Sequence, residues 1–167
     1  MIGRSDDQMI ELVPVIRSRA NDWLTFVHAQ TPVTEEDLLQ LEALLDRIIV
    51  LRHELGPLSR LDLEDGTALA PRLELVELRT HLSNRFPMLG FYNIPEVVSK
   101  DLMQTGLMMG DAVDDILDIT NDLSEVVRMI EQKRPNEACW TFGFRYDQHW
   151  RNHARSLLWY LEQRRRD

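Results

Sequence analysis

Two stretches of this chain carry side chains able to bind a cation or move a proton. The first is a run of carboxylates, Asp111, Asp114, Asp115, Asp118, Asp122 and Glu125, spaced three and four apart. On a helix that spacing gathers all six on one face. Such a stripe on a bundle wall would suit a hard divalent cation such as magnesium. The second is the pair His149 and His153, four apart, with both imidazoles on one side of a helix. Acidic stripe and histidine pair together suggest a His/carboxylate metal site, the apparatus of a metal-dependent hydrolase or phosphohydrolase.

Helical phase weighs against that chemistry. The six acids fall within about 100° of arc, while Val113, Ile116, Leu117, Thr120, Leu123, Val127 and Ile130 centre opposite them. Inward-facing ligands should interrupt the apolar stripe, and these avoid it. A solvated acidic face is therefore the favoured reading, with its early aspartates at the positive end of the helix dipole. In the last helix Cys139, Tyr146, Trp150, His153, Leu157 and Leu161 share the apolar arc, and Phe142 and His149 flank it. His153 then reads as a neutral, hydrogen-bonded core histidine, and Cys139 as a small buried residue without nucleophilic role.

Two large aromatics fall off that arc. Phe144 and Trp159 lie on the polar side among Gln148, Arg151, Asn152 and Arg155, and Trp140 sits at the edge. They predict a second packing surface, covered either by the apolar segment 86–95, by the first helix or by another molecule. Arg151 and Arg155 could meet the acidic stripe on a second copy, giving a two-fold contact. The cations Arg164 to Arg166 suit a helix C-terminus. Phosphate-cradling and serine-hydrolase motifs are absent from the sequence.

The elements that must position these residues all have the helix period. A first helix carries Met9, Leu12, Val13, Ile16, Ala20, Trp23, Leu24 and Val27, either kinked at Pro14 or beginning there. Thr34 and Asp37 form a capping box for a second, with Leu38, Leu41, Leu44, Leu45, Ile48, Leu51 and Leu55 in phase. Gly56-Pro57 ends it, and Leu39, Ala43 and Val50 form a smaller stripe that predicts packing on two sides. Residues 57–70 read as a mobile surface loop. Pro71 opens a third helix, the turn-rich apolar stretch 86–95 packs on the body, and a short helix is favoured within 96–109. A fourth helix runs from Asp111 to about Lys133 and a fifth from Asn136 into the terminal arginines. The expectation is one all-α domain over 1–167, an antiparallel bundle of about five main helices with no sheet.

Composition narrows the partners. With 167 residues, 44% hydrophobic and 28% charged, the chain suits one globular domain. Its formal charge of −9 disfavours nucleic acid and anionic membranes. One cysteine excludes an internal disulfide, and neither a secretion signal nor a membrane span is visible. Those features point to the cytoplasm.

The segment from Ala138 to Ala154 contains W-x-F-x-F (Trp140, Phe142, Phe144) followed by H-W-x-x-H-A from His149 to Ala154. It resembles an uncharacterised bacterial family, domain of unknown function five-zero-six-three. The acidic run Asp114-Asp115-Ile116-Leu117-Asp118-Ile119 and the aromatic pair Phe91-Tyr92 fit the same pattern. Thr120 stands where the resemblance leads one to expect an aromatic. The family implies an α-helical domain without established activity, and makes Asp115, Asp118, His149, Trp150 and His153 the positions to examine. The leading expectation is a non-enzymatic interaction module, a homodimer or a partner for another protein, contacting through Phe144, Trp159, Arg151 and Arg155 and needing no cofactor. The alternative is the hydrolase, with a divalent metal on Asp115, Asp118, His149 and His153. A small-ligand sensor built on the aromatic cluster is the third.

Overall fold

The computed structural model describes residues 11–56, 72–96, 100, 101, 103 and 106–166, so the loop expected at 57–70 lies outside it. Five helical rods make the body. They are α1 (Val13–Val27), α2 (Glu35–Leu55), α3 (Arg72–Arg85), α4 (Ala112–Glu131) and a composite last rod. That rod consists of α5 (Pro135–Arg145), a π-helical turn at Tyr146–Trp150 and α6 (Arg151–Arg164). Local signals account for most boundaries. Pro14 lies in the first turn of α1, where its missing N–H costs nothing. Thr34 and Asp37 complete their capping box, and the seven in-phase apolar residues of α2 are buried. Of the smaller stripe Leu39 and Val50 are exposed and Ala43 is half-buried, and α2 packs against both α1 and the last rod.

The absence of a sheet is corrected. Strands β1 (Phe91–Pro95) and β2 (Leu107–Asp111) pair antiparallel where the sequence predicts a connection and a short helix. Each has five residues, too few for a period of two to stand out beside flanking turn residues. Gly110, which reads as a helix breaker, faces Tyr92 across the pair. A Cβ at Gly110 would lie 2.5 Å from the Tyr92 ring, so only glycine lets that ring lie across the neighbouring strand.

Helix α4 is the centre of the molecule, packed against α1, α3, α5 and α6. The buried Trp23 indole donates to Thr120 Oγ1 at 2.9 Å, and that hydroxyl donates to the Ile116 carbonyl at 2.6 Å. A threonine at 120 thus gives the core indole an acceptor. Lys133, at φ 60°, ends α4 in the left-handed conformation and turns the chain back along it.

In the last rod the Arg151 N–H bonds the Tyr146 carbonyl, five residues back. The π turn inserts one residue, so every later side chain takes the direction its predecessor would have had. The core beyond it is therefore Ala154, Leu157 and Leu161. His153, expected in the core, is displaced to its edge. Trp150 anchors the turn, with its ring edge-on to Phe142 and Tyr146 at 5.9 and 4.8 Å. Trp150→Ala is expected to cost about 3–5 kcal/mol, read as a lower urea midpoint. An unchanged midpoint would remove Trp150 from the core.

Candidate functional site

The acidic stripe of α4 divides into two parts. Asp111 caps the helix, accepting from the backbone N–H groups of Val113 and Asp114 at 3.1 and 3.4 Å. Arg79 of α3 bridges Asp111 and Asp114 at 2.6 and 2.5 Å. These two aspartates fulfil the expected end-of-helix role. The solvated-face expectation fails for Asp115, Asp122 and Glu125, which are buried, while Asp118 is half-buried. A wheel assigns one core face to a helix, but α4 is enclosed on several sides, and the last rod covers its acids.

What covers them is a matching set of basic side chains at a spacing of four. Arg145 Nη2 lies 3.3 Å from Glu125 Oε2, with its Nε 3.9 Å from Asp122 Oδ1. His149 Nδ1 is 2.8 Å from Asp122 Oδ2, and His153 Nδ1 is 2.6 Å from Asp115 Oδ1. The second nitrogens converge. His149 Nε2 and His153 Nε2 lie 3.6 and 3.5 Å from the same atom, Asp118 Oδ2. The Tyr92 hydroxyl donates to the other oxygen of Asp115. Antiparallel rods thus pair 145 with 122 and 125, 149 with 118 and 122, and 153 with 115 and 118.

Hydrogen-bond logic fixes the tautomers. A carboxylate only accepts, so each Nδ1 facing Asp122 or Asp115 carries the proton. In a neutral ring Nε2 is then a lone pair aimed at the Asp118 oxyanion, which is repulsive. The arrangement calls for a positive charge between them, supplied by protons on Nε2 or by a metal ion. Its surroundings agree. The hydrogen bond to Asp122, before all else, holds the His149 pKa above the ordinary histidine value, and Asp115 does the same for His153. Burial raises the Asp118 carboxyl, with the two imidazoles opposing. Burial, then the bond to Asp115, pushes the Tyr92 phenol far above its usual range.

Ligand atoms of Asp118, His149 and His153 all lie within 4.8 Å of one another. Their side chains are 28%, 40% and 33% exposed, so the cluster opens to solvent. His153, expected in the core, thus lies at a solvent-open cluster. The four residues suspected as ligands do come together, with Asp115 behind His153 as an orienting carboxylate. Buried carboxylates that orient metal-binding imidazoles are a recurrent feature of metal sites. Sequence reasoning missed Arg145 and Tyr92 and left Asp122 and Glu125 on the surface. The available signal was the matching period of Arg145, His149 and His153 against the acids.

The residues expected at an interface are all exposed, Phe144 on α5 and Arg151, Arg155 and Trp159 four apart on α6. Phe144 stacks on Trp140 with centroids 4.5 Å apart, and Trp159 borders a groove beside the hairpin. Arg151 is exposed, and Arg155 Nη2 lies 3.3 Å from His53 Nε2 of α2. Cys139 is buried, and burial raises its thiol to about 11, far from nucleophilic use. Among the described residues no helix is long and apolar enough to cross a membrane.

No curated protein and no solved structure matches the chain. Residues 16–165, which include the H-W-x-x-H-A segment and the acids opposite it, match the family described as Domain of unknown function (DUF5063), and the chain belongs to that family.

Proposed function

We propose that this chain is a metal-dependent hydrolase built in a helical bundle, with one divalent ion on Asp118 and the Nε2 atoms of His149 and His153. One observation carries the reading: both Nε2 atoms converge on one Asp118 oxygen while each Nδ1 is backed by a buried carboxylate. Two imidazoles and one carboxylate favour zinc, iron(II) or manganese over the all-oxygen preference of calcium or magnesium. Three protein ligands at a solvent-open cluster leave room for a water molecule and a substrate oxygen. Asp118, His149 and His153 would hold the ion, which when bound would supply Lewis acidity to a water molecule and to the substrate.

The interaction-module reading ranks second. Its acidic counterpart on a second copy loses Asp115, Asp122 and Glu125 to the interior. Its specific support is the surface stack of Phe144 on Trp140. It predicts a dimer at tens of micromolar, loosened by Phe144→Glu with each subunit still folded. A monomer in sedimentation velocity at that concentration ends it.

Protein purified without chelator is expected to hold about one zinc, iron or manganese ion per chain. His153→Ala and Asp118→Asn should abolish stoichiometric binding in calorimetry, and Asp115→Asn should weaken it about 10–100-fold. Wild-type protein that stays folded but takes up no such ion overturns the proposal.

A second prediction concerns the metal-free protein. His149 and His153 hold protons more tightly folded than unfolded, so their stabilisation is complete below the ordinary pKa of about 6.5. It is lost as pH rises through the raised folded values. The melting temperature of chelator-treated protein should therefore fall as pH rises above about 6.5, and less so in His149→Gln/His153→Gln. An equally flat profile in both proteins would show that folding does not change proton binding by the imidazoles.

A further inference from the structure

A groove of about 430 Å³ lies between the hairpin and α6, a size typical of small-molecule sites. Tyr92, Pro95, Ser156, Trp159, Tyr160 and Gln163 border it, and among the described residues no Asp, Glu, Lys, Arg or His contributes to its lining. Tyr92 and Tyr160 stack 4.6 Å apart, nearly parallel, and Trp159 is half exposed. The groove is joined to the histidine cluster by one hydrogen bond and by a shared helix. Tyr92 forms part of its wall and also donates its hydroxyl to Asp115, the carboxylate that holds His153. Ser156 lies one helical turn beyond His153 on the same rod.

We propose that this groove is the specificity site of the enzyme and takes a flat, uncharged aromatic or heteroaromatic part of the substrate, whose hydrolysable group reaches the metal. The inference rests on the metal reading above. Its chemistry follows from the lining. The half-exposed Trp159 indole offers a face for stacking, and it gives up exposed apolar surface when a ring covers it. A charged occupant would lose hydration here without gaining an ion pair. Asn93, Ser156 and Gln163 provide neutral donors and acceptors of the kind a heteroaromatic edge can use. Tyr92 has its hydroxyl committed to Asp115 and its ring packed on Gly110 and Tyr160, so it shapes the wall and leaves the stacking to Trp159.

The test uses full-length, ¹⁵N-labelled protein titrated with indole, adenosine and, as a non-planar control, cyclohexanol. The readout is the indole N–H resonance of Trp159, identified by its loss in Trp159→Ala. Indole or adenosine should shift it saturably at millimolar concentration and cyclohexanol should not. Trp159→Ala, followed through the probe's own signals, should weaken ring binding about tenfold or more while leaving zinc affinity in calorimetry unchanged. No saturable shift with either ring, an equal response to cyclohexanol, or undiminished ring binding in Trp159→Ala overturns the groove assignment. The two readings fail separately: absent zinc binding by wild type overturns the metal centre, whereas zinc binding without ring binding overturns the groove.

Discussion

Carboxylates taken out of water cost several kcal/mol each unless cations and hydrogen bonds replace the lost hydration. Helix α4 places Asp115, Asp122 and Glu125 in that position, inside the contact with the last rod. Arg145, His149 and His153 make the burial tolerable, each facing one or two of those acids. This pairing constrains more than the site. A shift of the last rod by one residue along α4 would leave charges buried without partners, so the ladder also sets the register in which Trp150, Leu157 and Leu161 enter the core. Apolar side chains alone tolerate small slips. Paired ions and imidazoles do not.

The π turn belongs to the same constraint. An uninterrupted α-helix through residues 135–164 would direct His153 into the core and Ala154 away from it. One inserted residue reverses that choice, leaving an apolar alanine inside and an imidazole opposite Asp115 and Asp118. Such turns sacrifice regular hydrogen bonding, and they are frequent where a helix carries a functional side chain. Here the turn is held from both flanks. Trp150 fills the core on one side, and on the other Arg52 of α2 pairs with Asp147 within the turn.

The same features decide what was legible in the sequence. Helix α2 could be read residue by residue, because six in-phase leucines, Ile48 and a capping box all report local physics. The hairpin could not, since its strands are short and Gly110 carries no sign that it makes room for Tyr92. His153 was misplaced for a definite reason: counting 100° per residue is valid only while the helix stays α. The acidic stripe was misplaced for another. Amphipathic reasoning equates polar with outward, and that equation fails on a central helix whose neighbour supplies the counter-charges.

Charge arithmetic sharpens what the site asks for. Asp115, Asp118, Asp122 and Glu125, when ionised, bring four negative charges, and Arg145 returns one positive. With neutral imidazoles the cluster is left at −3. Two protons, one on each Nε2, reduce this to −1. A single divalent cation with both imidazoles neutral gives the same −1. The two states are thus matched in charge, and binding the metal to the doubly protonated cluster must release both protons. Falling proton activity therefore favours the metal over the protons. Geometry adds to that preference. Protons on two separate nitrogens each see Asp118 from 3.5 Å or more, whereas both nitrogens and the carboxylate would serve one divalent ion together.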